Sequence, residues 1–214
     1  KNELIPLKRL DTLKIISIAL GSKKSSIFQN TLELYCKTDK ISIDKKPSLN
    51  KYEDLLDEHN LFIVSIHNTD IRVSKDYGIT TETVTFVDSL AEKYNVILNL
   101  HANPYALTRF KNLEKLSGLI ISYQDTEIIQ SLSAQLIFGA IPAEGSLPVS
   151  VNGILPAGSS IKSRGNLRLK YTIPCEVKID EEYLLKIDSI AVDAIKKKVT
   201  PGGQILVAKE GKII

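Results

Sequence analysis

The chain has 214 residues, 43% of them hydrophobic and 25% charged, and its 28 basic and 25 acidic residues leave a formal net charge of +3. This is the composition of an ordinary globular protein, long enough for one medium α/β domain and a further segment. Nucleic-acid or membrane-surface binding would require a concentrated basic face with aromatic residues, whereas the lysines here occur in short runs such as Lys45-Lys46 and Lys196-Lys197-Lys198. We therefore predict no nucleic-acid partner. We also predict no membrane span, because the sequence has no apolar run of 18 residues.

The two cysteines, Cys36 and Cys175, are far apart in the sequence and neither belongs to a C-x-x-C pair. One disulfide is compatible with this spacing, but nothing in the sequence demands it. We expect two unrelated structural thiols.

Apolar runs typical of strands alternate with helical patterns through the first 150 residues. Strands buried on both faces are predicted at residues 13–20, 61–66, 96–100 and 118–123, with a shorter one around Ile41 and Ile43. Helices are predicted at residues 27–36, 48–60, 80–95 and 125–139, with a short one after Asn103-Pro104. This alternation implies βαβ crossovers and a three-layer α/β/α fold with a mainly parallel, Rossmann- or flavodoxin-like sheet.

Helix starts are predicted from residues whose side chains accept a hydrogen bond from the first turn. Ser48, Thr80 or Thr81, and Asp125 stand where such N-caps are needed, and Gly139 is placed to end the helix that begins at Asp125. We expect all three helices to begin at these residues.

The pattern changes after Ile141, where turn residues become frequent. We expect an edge strand at residues 149–151 and a surface connector at 156–175, which separates a first domain (1–155) from a second segment (176–214). The second segment has a helical stripe from Asp180 to about Lys198, a strand at 204–208, and a Glu210-Gly211 turn into a returning strand. The chain opens at Lys1 without an initiator methionine, and the returning strand stops at Ile214. We therefore expect both ends to be internal positions of a longer polypeptide.

Two histidines follow predicted strands, and the carboxyl ends of parallel strands are where such sheets bind ligands. His67 and Asp70 follow the strand at 61–66, and His101 follows the strand at 96–100. Together these side chains can bind a metal or act as acid and base, or they can be hydrogen-bonded loop residues. Since the sequence offers no third fixed ligand, we predict no metal, no cofactor and no catalytic residue. His59 is expected at a helix end.

Two further motifs carry chemistry only in the right context. The segment from Gly21 to Ser26 could cradle a phosphate before a helix, but it lacks the second glycine of a P-loop, and a polar turn is the simpler interpretation. Ser159-Ser160-Ile161-Lys162 matches the S-x-x-K motif of serine β-lactamases, which needs its serine at a helix start. Here the motif falls in the predicted connector, so we treat the match as coincidental.

The first part of the chain resembles the C-terminal α/β domain of glycoside hydrolase family 3, in its β-N-acetylhexosaminidase branch. The similarity is carried by residues 103–107 (NPYAL), 118–123 (GLIISY) and above all 135–149 (QLIFGAIPAEGSLPV), and it covers residues 1–155. Residues 170–214, including 200–212 (TPGGQILVAKEGK), resemble the start of a class C β-lactamase-like serine hydrolase domain.

This resemblance implies a scaffold domain without an active site. The parent enzyme would hydrolyse β-linked N-acetylhexosaminides. Its catalytic residues would lie in an N-terminal (β/α)8 barrel, and no residue of this chain matches the motifs of that barrel. The nucleophile of the serine hydrolase would lie beyond residue 214. The implied partners are that barrel, the serine hydrolase domain and the parent's carbohydrate substrate, and the implied location is the periplasm or cell surface. Two alternatives remain: a stand-alone flavodoxin-like small-ligand module that uses Gly21, His67 and His101, and a serine hydrolase that uses Ser159 and Lys162.

Overall fold

The computed structural model describes residues 4–151, 153 and 155–214. The chain forms two compact units that divide after Gly165, within the range predicted for the connector. The assignment of these units to particular domains remains a prediction.

The first unit contains a five-stranded sheet in which all strands are parallel. Its strands are β1 (Ile15–Leu20), β2 (Thr38–Ile43), β3 (Leu61–Ile66), β4 (Val96–Leu100) and β5 (Gly118–Ile121), in the order β2-β1-β3-β4-β5. The helices are α1 (Ile27–Glu33), α2 (Glu53–Asp57), α3 (Thr81–Lys93) and α4 (Glu127–Ile137). Short 3-10 turns lie in the connections, such as Pro104–Arg109 between β4 and β5. The predicted three-layer α/β/α fold with a parallel sheet is therefore confirmed.

Both faces of the sheet are buried, which explains why the central strands are apolar without alternation. One face packs with α2 and α3, through side chains such as Ile18, Val64 and Leu90. The other packs with α1 and α4, through side chains such as Phe28 and Ile137. Full burial of one such side chain stabilises the fold by about 1.5–3 kcal/mol, so these two cores are the main source of stability.

The helix starts agree with the predictions only in part. Ser26 caps α1 in a capping box with Gln29, and Thr80 caps α3 by accepting from Thr83. The prediction for Asp125 was wrong: Thr126 caps α4, which leaves the Asp125 carboxylate for other partners. The prediction for Ser48 was also wrong, because a 3-10 turn follows it and the helix α2 begins only at Glu53.

Gly21 ends β1 at a position that only glycine fits. Its φ is +82°, and a Cβ atom there would lie 2.5 Å from the carbonyl oxygen of His67. The absence of a side chain therefore lets the ends of β1 and β3 approach each other closely.

The second unit contains α5 (Glu181–Lys196) and the short strands β6 (Lys170–Tyr171), β7 (Ala208–Lys209) and β8 (Lys212–Ile213), in the order β6-β8-β7. Asp180 caps α5, and Glu210 and Gly211 both have positive φ in the tight turn between β7 and β8, as their sequence predicts. The predicted strand at 204–208 is wrong for all but its last residue.

Two remaining expectations concern the connector and the membrane. Instead of an edge strand at 149–151, the first unit has only an isolated bridge between Val151 and Leu155, and residue 152 lies outside the described residues. Within the described part of the chain, no helix has the length and apolar character needed to cross a membrane.

Candidate functional site

A buried polar layer lies under α1 and α4, at the carboxyl ends of the strands. Because side chains alternate along a strand, Ser65 and His67 face the same side of the sheet as Asn99 and His101. All four are buried, whereas the amino-terminal half of this face is aliphatic. Since buried polar groups are costly unless they are hydrogen-bonded, this layer is the part of the fold in which specific interactions matter most.

His67 lies between a carboxylate and a hydroxyl group. Its Nδ1 donates to Asp125 Oδ1 at 2.9 Å, and its Nε2 is 2.8 Å from the Ser65 hydroxyl. The second carboxylate oxygen of Asp125 accepts from the backbone N–H of Asn68 at 2.7 Å, and Oδ1 also accepts from the Gln130 amide at 2.8 Å. These bonds join the end of β3 to the loop that leads into α4.

His101 is fully buried and hydrogen-bonded at both ring nitrogens. Its Nδ1 donates to the carbonyl oxygen of Ile66 at 3.2 Å, and its Nε2 accepts from the Asn99 amide at 3.1 Å. The Asn99 amide also donates to Ser133 at 2.8 Å, and its oxygen accepts from Ser122 at 2.6 Å. These partners fix the neutral tautomer with the proton on Nδ1.

The environment of His101 disfavours its protonation. Burial, followed by the charge of nearby His67, lowers the pKa of His101 to about 4, although Asp125 and the Ile66 carbonyl act in the opposite direction. The His67 and His101 rings are stacked with centroids 5.0 Å apart, and Phe28 meets His101 edge-on at 5.9 Å. The imidazole of His101 therefore serves as a neutral hydrogen-bonding group near pH 7.

The Asp125 carboxylate is held in its charged form. Burial raises the pKa of this carboxyl, but the hydrogen bond and charge of His67, together with the Asn68 N–H, outweigh that effect and leave the pKa below its ordinary value. A charged acceptor close to an imidazole is the arrangement that orients histidines in catalytic triads.

Ser65, His67 and Asp125 thus have the contact order of a serine-histidine-aspartate triad. In such enzymes the serine oxygen must reach a substrate carbonyl. Here Ser65 has 0% of its surface exposed and lies beneath α1 and α4. The geometry is that of a triad, but its nucleophile position is closed to substrate.

The same cluster contains the ligand types of a metal site. One ligand atom from each of His67, His101 and Asp125 lies within 4.8 Å of the others. Two imidazoles and a carboxylate can bind Zn²⁺ when their lone pairs converge on the ion. However, Asn99 occupies the His101 lone pair and Asp125 accepts the His67 proton, so an ion would have to break both hydrogen bonds.

The structure confirms that His67 and His101 are neighbours but replaces their predicted acidic partner. Asp70 lies outside the cluster, where its carboxylate binds the Arg72 guanidinium at 2.6 Å. That ion pair lowers the pKa of Asp70 well below its ordinary range. Asp125, not Asp70, is the acidic residue beside the two histidines.

The other predicted candidates also have local partners. His59 binds Asp39 at 2.9 Å, at the opposite end of the sheet. Ser159 lies outside any helix and donates to the Pro156 carbonyl at 2.6 Å, so the S-x-x-K match lacks the helix that its chemistry needs. Cys175 is exposed.

Asp125 was missed as a site residue because its position allows two interpretations. It follows β5 and precedes α4, so the sequence suggests a helix cap as readily as a residue at the carboxyl edge of the sheet. The adjacent Thr126 is an equally good cap, which was the available signal that Asp125 was free for another role.

The comparisons with known proteins add no assignment: no protein family, curated protein or solved structure matches the chain. The resemblance to glycoside hydrolase family 3 therefore remains a prediction from the motifs.

Proposed function

We propose that this chain is a non-catalytic structural domain of a larger bacterial glycoside hydrolase, followed by the beginning of a serine hydrolase module. The parent would hydrolyse β-N-acetylhexosaminides and would be located in the periplasm or at the cell surface. The observation that carries the proposal is the closed polar cluster. Where this fold would perform chemistry, the side chains of His67 and His101 are buried, that of Asp125 is half-buried, and all three are hydrogen-bonded to the protein itself.

A structural role explains why the cluster is polar. The bonds of Asp125 connect β3 to the start of α4, and those of Asn99 connect β4 to both α4 and the residue that follows β5. Each neutral bond contributes about 0.5–1.5 kcal/mol, and a bond to a charged group contributes about 1.5–3 kcal/mol. Such a network fixes the arrangement of the strand ends without any substrate.

The second unit supports the proposal through its exposed apolar surface. All residues of α5 are described and none is buried, and its Tyr183 and Ile190 are 64% and 70% exposed. Leu206, which precedes the β7–β8 hairpin, is 68% exposed. A helix with an apolar stripe is normally covered by other elements, as it would be within a complete serine hydrolase domain.

The test compares this chain with a parent protein that contains the proposed barrel. Both are assayed with a chromogenic N-acetyl-β-glucosaminide and with a chromogenic β-lactam or ester. We expect the parent to cleave the glucosaminide and this chain to leave all the substrates intact.

Two control variants would locate any active site within this chain. Turnover by this chain that disappears in Ser159→Ala would establish a serine hydrolase, and loss in His101→Ala, with an unchanged circular dichroism spectrum, would place an active site in the polar cluster. Either result would overturn the structural assignment.

A further inference from the structure

The two ends of helix α4 are attached to the sheet in different ways. Its last turns pack on the sheet through buried apolar side chains such as Ile137. Its first turns are held by hydrogen bonds: Ser133 accepts from the Asn99 amide at 2.8 Å, and the Gln130 amide donates to Asp125 at 2.8 Å. The polar layer therefore fixes the beginning of α4.

His101 lies directly beneath this part of α4. Its Nε2 accepts from the Asn99 amide at 3.1 Å and lies 3.5 Å from the Ser133 hydroxyl. The same Asn99 amide group therefore binds the His101 ring and the residue that holds α4. Because the Asn99 amide nitrogen donates to the ring, this arrangement requires an unprotonated Nε2 on His101.

A proton on Nε2 is incompatible with the closed layer for two reasons. The new N–H would face the N–H groups of Asn99, so that two donors would meet without an acceptor. The ring would also become a buried cation, which is costly unless an anion pairs with it. Reversal of the Asn99 amide would restore an acceptor but would supply no negative charge.

Among the described residues, no unpaired anion acts on the His101 ring. The charged and titratable groups that act on it are His67, whose stacked ring is 5.0 Å away, and Asp125, whose carboxylate is already bound to His67. Helix α4 contributes the Ser133 hydroxyl, and α1 contributes only the edge of the Phe28 ring. Burial and His67 therefore lower the pKa of His101 to about 4.

The side of the sheet that carries α1 and α4 is the easier one to open. Among the described residues, its apolar cluster contains ten buried side chains, whereas the cluster on the α2 and α3 side contains 26. Helix α1 has its own attachment, since the Gln29 amide donates to the carbonyl oxygens of Ser17 at 2.9 Å and Ile41 at 3.0 Å. Helix α4 is thus the element whose position depends most on His101.

We propose that the polar layer is a pH-dependent switch: protonation of His101 releases the beginning of α4 from the sheet and admits water to the ring. The release also uncovers Ser65 and His67, which are buried in the closed chain. This switch goes beyond the structural role proposed above, because it gives the cluster a second, open conformation. It does not depend on the identity of the parent protein.

The size of the effect follows from the protonation of His101 in the two conformations. Above pH 7 the ring is neutral in both, so the opening is independent of pH. With a pKa of about 4 when closed and 6.5 when open, the ratio of open to closed chain rises about twentyfold between pH 7 and 5. The rise ends near pH 4, where the closed form is protonated as well.

The test is native-state amide hydrogen exchange of the 214-residue chain at pH 7 and pH 5, in low concentrations of urea and with correction for intrinsic exchange rates. We expect the amides of α4 to exchange through an opening that depends less steeply on urea than global unfolding does. Amides of α3, on the opposite face, should exchange only by global unfolding. The equilibrium constant for the α4 opening should rise about twentyfold from pH 7 to pH 5.

Two variants identify the group that titrates. His101→Gln should make the α4 opening independent of pH, whereas His59→Gln, at the opposite end of the sheet, should retain the twentyfold rise. A nitrogen NMR titration of the wild-type imidazoles tests the same group without a substitution. It should show His101 neutral at pH 5, with its proton on Nδ1.

The proposal is overturned if α4 and α3 exchange with the same free energy and the same urea dependence, because the chain then has no separate opening. It is also overturned if the α4 opening does not change between pH 7 and 5, or if its rise persists in His101→Gln. A wild-type His101 that is protonated at pH 5 in the closed chain would have the same consequence.

Discussion

Acidification is expected to destabilise the first unit through His101. The pKa of this imidazole is about 4 in the folded chain, against 6.5 for an ordinary histidine. Above pH 6.5 the ring is neutral in both states, so it contributes no pH dependence. Between pH 6.5 and 4 the unfolded chain binds a proton that the folded chain does not, so the free energy of unfolding falls as the pH is lowered.

The size of the effect follows from the difference between the two pKa values. At about 1.4 kcal/mol per pKa unit, the shift to about 4 makes about 3 kcal/mol of stability at pH 7 dependent on a neutral His101. Asp125 acts in the same direction at lower pH: its folded pKa lies below its ordinary 3.8, so its contribution is lost as the pH falls through the folded value.

The assay is urea unfolding followed by far-ultraviolet circular dichroism at half-unit steps from pH 7.5 to 3.5. His101→Gln removes the titrating group and is expected to be less stable at pH 7 but to have a shallower pH dependence between 6.5 and 4. His59→Gln, at the opposite end of the sheet, should keep the steep dependence. An equal slope for the wild-type chain and His101→Gln would refute the reasoning.

Three further predictions concern the polar layer and use matched variants. Asp125→Ala leaves the His67 and Asn68 donors without their acceptor and should lower the free energy of unfolding by about 3 kcal/mol. Asp70→Ala removes only a surface ion pair and should cost much less; similar losses in urea unfolding would contradict the assigned roles. Ser17 has a buried hydroxyl without a hydrogen-bond partner among the described residues, so Ser17→Ala should be neutral or stabilising. Ser65→Ala removes a hydrogen bond to His67 and should destabilise by about 1 kcal/mol. A larger loss of stability in Ser17→Ala than in Ser65→Ala would be evidence against the network. Because the lone pairs of the histidine cluster are engaged, a tenfold molar excess of Zn²⁺ should leave the melting temperature unchanged, and a saturable rise would instead indicate a metal site.

The sequence predicted the fold because burial leaves a simple signature. A strand covered on both faces is apolar at nearly every position, as in residues 61–66 with Ser65 as the exception, and a helix between two such strands implies a parallel crossover. The caps Thr80 and Asp180 were also predictable, since each acts only on the turn that follows it. The errors at Ser48 and at residues 149–151 lie outside the sheet, where weak local preferences give way to packing.

The candidate site was predictable in position but not in composition. His67 and His101 were expected together because both follow parallel strands, and the same rule covers Asp70 and Asp125 alike. Which aspartate joins them depends on the paths of two loops: the one after β3 turns Asp70 toward Arg72, and the one after β5 brings Asp125 to within 2.9 Å of an imidazole 58 residues earlier in the chain.

The sequence by itself therefore determined the elements, the parallel sheet and the edge at which polar side chains collect, because these depend on periodicity and on interactions within a few residues. Only the tertiary structure decided that the cluster is closed and that Ser65 is inaccessible. Those properties depend on contacts between residues distant in sequence and on which surfaces the helices cover, and no local pattern encodes either one.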